Sequence, residues 1–124
     1  SHYCLNREMS APISEQNQLW IQQILERSDS FQGRISSHEQ IQVPIHFPQN
    51  QKWVAIFKDW WERGFRSWRE RAAEDETLIF LCELGPPEYA FTDANGEELS
   101  DRFEEALVFR NWVQEIWARL EQES

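Results

Sequence analysis

Leu78-Ile79-Phe80-Leu81-Cys82 is an apolar run without polar alternation, followed by Glu83, Leu84 and the stop Gly85-Pro86-Pro87. An unbroken run of this kind predicts a strand over 77–83, buried on both faces of a parallel sheet. The Gly-Pro-Pro stop forbids helix and sends the chain over the edge of the sheet. Glu83 is thereby presented at the carboxyl end of the strand, the edge at which α/β folds bind ligands. A glutamate in that position also has a plainer use, as a solvated group or as the partner of an arginine.

The rest of the chain is read around that strand. Pro12 and Ser14 mark a helix start, and from Ser14 to Arg27 the residues Leu19, Trp20, Ile21, Ile24 and Leu25 recur at helical spacing. Phe31 to Ser36 is a short strand candidate, with Gly33 where backbone or ligand approaches closely. The segment 37–50, with Pro44 and Pro48, reads as a long loop of functional type. Gln51 to Ala72 predicts a long helix whose stripe is Trp53, Phe57, Trp60, Trp61, Phe65 and Trp68. Gly64 weakens this helix by ~1 kcal/mol relative to alanine, too little to end it. After the strand, residues 84–99 form a second loop with Asp93-Ala94-Asn95-Gly96 as its tight turn. Ser100 is expected to cap a final helix carrying Phe103, Leu107, Phe109, Trp112, Val113, Ile116, Trp117 and Leu120.

Two strands joined by a helix of this length imply parallel pairing through a crossover. So few strands with three amphipathic helices neither close a barrel nor cover both faces of a sheet. The 124 residues, beginning Ser1-His2-Tyr3-Cys4 without Met, are therefore expected to be one partial domain, 1–124, the carboxyl-terminal part of a larger α/β protein.

The formal charge of −10 leaves no basic stripe to neutralise phosphates, which excludes a nucleic-acid partner. The acidic residues of 97–105 (Glu97, Glu98, Asp101, Glu104, Glu105) read as solvated surface. No run is long and apolar enough to span a bilayer, so no membrane is expected. Cys4 and Cys82 have no metal-like spacing, and free thiols in a reducing cytoplasm are the expectation.

Four polar features fall at or near strand ends: His2, the Gln32/Arg34 pair, His38 and Glu83. Each has an ordinary structural use. A histidine near a terminus is commonly a surface group, Gln32 a hydrogen-bonding core group and His38 a solvent-facing one. Arg34 must be balanced, because a buried guanidinium without a counter-charge is too costly.

Ser1-His2-Tyr3, Gln32-Gly33-Arg34-Ile35, Gln42-Val43-Pro44, Trp60-Trp61 and Glu83-Leu84-Gly85-Pro86-Pro87-Glu88-Tyr89 occur in an order that resembles sugar phosphate isomerase/epimerase-like proteins. These belong to the xylose isomerase-like TIM-barrel superfamily. The resemblance runs over essentially the whole chain and corresponds to about the last three βα units of a (β/α)8 barrel, not closed here. It implies a divalent metal ion (Mn, Mg, Zn or Co) at the barrel mouth and a sugar or sugar phosphate whose vicinal oxygens bind it. By the resemblance Glu83 is a metal ligand and proton-transfer base, His2 a catalytic and substrate-contacting histidine, and Arg34 a substrate-binding residue. The aspartate that pairs with that histidine in the family would lie just before Ser1.

The chain departs from the family pattern at three places. Gln32 stands where the family has a metal-binding histidine, and an amide oxygen is a poor donor for most transition metals. Cys82 and Glu88 replace prolines. The implied chemistry is proton transfer next to a carbonyl through an enediolate, with this chain alone inactive. The alternative is a non-catalytic barrel relative that binds a polyol or a protein partner, which Gln32 favours. A third expectation is a self-standing module that buries its aromatic stripes by homo-oligomerisation. On any of these, the missing amino-terminal half or an oligomeric partner is needed to cover apolar surface.

Overall fold

The computed structural model describes residues 14–37, 40, 42–84 and 91–123. Ser14 caps the first helix, α1 (Glu15–Glu26), by accepting a hydrogen bond from the Asn17 N–H at 3.2 Å. Strand β1 (Ser30–Gly33) follows, then a single 3-10 turn at Pro48–Asn50 that runs straight into α2 (Gln51–Arg71). After β2 (Ile79–Cys82) the chain ends in α3 (Arg102–Glu123). The protein is thus mixed α/β, with three helices and two parallel strands in an open sheet among the described residues. The strands pair from Ser30 with Ile79 to Gly33 with Cys82. None of the described helices is long and apolar enough to cross a membrane.

The stripe of α2 holds the molecule together. Trp53, Phe57, Trp60, Trp61, Phe65 and Trp68 are all buried, as their spacing predicts. Phe65 sits at the centre, its ring 5.3 Å from Phe31 of β1, 5.8 Å from Phe80 of β2 and 6.1 Å from Trp117 of α3. These edge-on contacts tie both strands and the last helix to one residue.

Glycine matters twice here, each time because a ring lies against the backbone. A Cβ on Gly33 would run into the Phe80 ring, so the close approach expected there is made by a core side chain. A Cβ on Gly64 would meet the Phe31 ring. Gly64 is therefore a packing requirement as well as a helix weakness. Alanine at this position gains ~1 kcal/mol of helix propensity but overpacks a tight contact, typically at a cost of about 1–3 kcal/mol. Gly64→Ala is expected to be net destabilising; urea unfolding that showed a gain would contradict this packing.

Several sequence expectations are corrected by the packing. The 77–83 strand is not covered on both sides: Ile79 is 65 % and Leu81 53 % exposed, while Phe80 faces the helices. On α1 only Ile21 and Leu25 are buried; Leu19, Trp20 and Ile24 face outward. Phe103 also lies outside the core. The cap of α3 is Asp101 rather than Ser100, with its Oδ1 accepting from the N–H groups of Phe103 (2.9 Å) and Glu104 (3.1 Å). Glu105, expected on a solvated acidic surface, is 2 % exposed and accepts the Ile45 N–H at 3.1 Å.

That bond makes the 37–50 segment more than a surface loop. Val43, Pro44 and Ile45 are buried, and Val43 N–H donates to the Ile35 carbonyl at 3.0 Å. Asn50 and Gln51 donate side-chain amides to the carbonyls of Pro44 (2.9 Å) and Ile45 (2.6 Å). Buried backbone groups need such partners. The Asp93–Gly96 turn forms as expected: Asp93 Oδ1 accepts from the Asn95 and Glu97 N–H groups, and Gly96 takes φ +81°.

Candidate functional site

Strand direction and parity build the site. In a parallel pair, residues in register share a face, so Gln32 and Leu81 point to the open side while Gly33 and Cys82 point to the helices. The Glu83 N–H donates to the Gly33 carbonyl at 2.8 Å, continuing the ladder one step past β2. Arg34 and Glu83 are thus opposite each other at the carboxyl edge of the sheet, one from the end of each strand.

Their side chains meet. Arg34 Nη1 lies 3.5 Å from Glu83 Oε1. The arginine side chain is 9 % exposed and the glutamate 32 %. A guanidinium so far out of water needs its counter-charge, and the expectation that Arg34 balances an acidic neighbour is met by Glu83. Gln32, on the same face and two residues before Arg34, is exposed. His2 and His38, and the Gly85-Pro86-Pro87-Glu88-Tyr89 stretch, lie outside the described residues.

Cys82 turns toward the helices and is a free thiol, half-buried. Burial pushes its pKa above the ordinary value, with the charge of Arg110 pulling the other way. A thiol shifted in that direction is less nucleophilic at neutral pH.

The fit of a divalent ion follows from the donors. At this edge the described residues offer one carboxylate, Glu83, and one amide, Gln32, and no group of three His, Cys, Asp or Glu comes together among them. A protein-held transition metal takes three or four good donors. Glu83 and Gln32 alone do not make such a site.

Sequence reasoning placed Glu83 at a strand end and Arg34 inside a strand over 31–36, which the structure ends at Gly33, and did not pair the two directly. The signal was available: two charges of opposite sign, each at the end of one of two adjacent parallel strands. Glu105 was missed altogether, because a glutamate inside an acidic run carries no local sign of burial. No family model, curated protein or solved structure matches this chain.

Proposed function

We propose that this chain supplies the carboxyl-terminal βα units of a (β/α)8 barrel of the sugar phosphate isomerase/epimerase-like kind. On this proposal the Arg34–Glu83 edge handles a sugar or sugar phosphate. The observation that carries it is the meeting of Arg34 and Glu83, 3.5 Å apart, at the carboxyl edge of a parallel sheet. The open face of that sheet supports a larger assembly, because exposed Ile79 and Leu81 call for cover by the rest of a barrel or by an oligomeric partner.

The roles follow from the chemistry of the groups. Arg34 holds a phosphate or a carbonyl oxygen, for which the planar guanidinium fork is suited. Glu83 accepts a proton from the carbon next to the carbonyl and returns it to the neighbouring position. Gln32 hydrogen-bonds to substrate hydroxyls from the open face. His2 contacts substrate by the resemblance alone. A divalent ion, Mn, Mg, Zn or Co, belongs to this proposal only with donors from outside the described residues. Glu83 would then be one ligand and Gln32 a weak second, and the ion would supply charge stabilisation at the substrate oxygens.

A second reading, a non-catalytic relative that binds a polyol or protein partner, is favoured by the same ion pair. Glu83 is engaged by Arg34 rather than left open to a substrate, and Gln32 removes a good metal donor. Calorimetric titration of the complete barrel with Mn²⁺ separates the two. For the enzyme, Glu83→Gln is expected to weaken Mn²⁺ binding by about tenfold or more. Equal affinity in the two proteins would remove Glu83 from any metal centre and leave the binding reading.

A further inference from the structure

Beside β2, on the side away from β1, a groove of about 540 Å³ runs beneath α3. Its floor is apolar, made by Phe65, Phe80, Val113 and Trp117, and Glu76 and Glu121 stand at one end. We infer that the groove and the unpaired edge of β2 together receive an extended segment of another polypeptide, added to the sheet as a strand. The segment is apolar at successive positions and carries a lysine or arginine at the end beside Glu76 and Glu121. In the barrel proposed above this edge of β2 would pair with another strand of the barrel, so this inference is an alternative use of the same edge and survives the failure of that reading.

Backbone direction is the first support. Within a strand the N–H and C=O of one residue share a side, and the side alternates along the chain. The Glu83 N–H points to Gly33 of β1, so Leu81 and Ile79 also turn their backbone groups to β1. Phe80 and Cys82 turn theirs to the other edge, where β2 has no strand partner among the described residues. A strand edge with unpaired donors and acceptors is a template for another strand.

Side chains set what fits. On the helix side, an added strand lays alternate residues into the groove against Val113 and Trp117. On the opposite side, its other residues lie next to Ile79 and Leu81, 65 % and 53 % exposed. Both sets are therefore apolar. The Trp117 Nε1–H donates to Glu121 Oε1 at 3.0 Å and fixes that carboxylate at the groove end. Glu76 is exposed beside it and makes no ion pair among the described residues. Two carboxylates at the end of an apolar slot complement a basic residue. A second copy of this chain is the poorer occupant, because a formal charge of −10 on each sets the two against one another.

The test is an amide NMR titration of the protein with a synthetic peptide of alternating valine and isoleucine closed by lysine at both ends. Saturable shifts are expected at the Phe80 and Cys82 amides and at Trp117 Nε1, with slowed exchange at the two amides. A backbone N-methylated twin of the peptide is expected to bind at least about tenfold more weakly, since it lacks the strand hydrogen bonds. Val113→Glu is expected to produce a similar loss while the Leu81 amide, bonded toward β1, stays protected, which shows the sheet intact. Absence of shifts at Phe80 and Cys82, or equal binding of the N-methylated peptide, overturns strand addition. Sedimentation of a dimer whose Phe80 and Cys82 amides are protected before any peptide is added assigns the edge to a second copy and overturns the proposed partner.

Discussion

Replacing Phe65 by alanine is expected to cost about 3–5 kcal/mol of folding stability. The side chain is fully buried, and its ring touches β1 through Phe31, β2 through Phe80 and α3 through Trp117. Truncation removes the apolar transfer energy of the ring and leaves a space that three rigid aromatic neighbours cannot easily close. Ordinary domains are stable by about 5–15 kcal/mol in total, so Phe65→Ala consumes a large share. Urea unfolding followed by tryptophan fluorescence should show a much lower midpoint with little change in slope. A loss below about 1 kcal/mol, the scale of a surface change, would show that the core is not centred on this ring.

Glu105→Ala is the second large effect, and its origin is polar. The carboxylate is 2 % exposed and accepts the N–H of Ile45, itself 2 % exposed, at 3.1 Å. A hydrogen bond to a charged group contributes about 1.5–3 kcal/mol, and a buried N–H left without an acceptor costs about 1–3 kcal/mol. These figures describe the same lost bond from its two ends, so a net cost of about 2–3 kcal/mol is expected. Glu105→Gln keeps an acceptor oxygen at the same reach and should cost about 1 kcal/mol or less. Hydrogen exchange at the Ile45 amide provides the second measurement, rising in the alanine variant and nearly unchanged in the glutamine one. If both variants lose the same stability, the bond from α3 to the 42–45 segment is not what holds that segment down.

The contrast between these two residues marks how much could be read in advance. Phe65 belongs to a stripe that repeats along α2, and a helix that puts tryptophan or phenylalanine on one face must bury that face. Its place in the core was legible from spacing alone. Glu105 lies in an acidic stretch, and only the arrival of Ile45, sixty positions away, withdraws it from water. The α1 stripe shows the same limit from the other side. Leu19, Trp20 and Ile24 share the periodicity of Ile21 and Leu25, yet only the latter two are buried. Capping followed a similar course: Ser100 and Asp101 are both good cap residues, and the geometry of the first turn selected Asp101.

The candidate site was legible by position rather than by contact. The apolar run that ends in a charge placed Glu83 at a strand end, whereas Arg34 was expected inside a strand over 31–36; β1 stops at Gly33, and parallel pairing puts both residues at one edge. The register of β1 on β2, which sets residue 34 opposite residue 83, depends on Phe31, Phe80 and the glycine beneath that ring. One step of slip would turn one of the two side chains to the other face.

Local periodicity and punctuation in the amino-acid sequence determined that three helices and two strands form and in what order, and that the strands run parallel. Those features depend on neighbours a few residues apart, so they can be read along the chain. The tertiary structure alone decided which apolar residues are covered, that a glutamate of the acidic run lies inside, and that β2 keeps one open face and one open edge among the described residues. Burial depends on what a distant segment brings against a surface, and no spacing within a helix or strand carries that information.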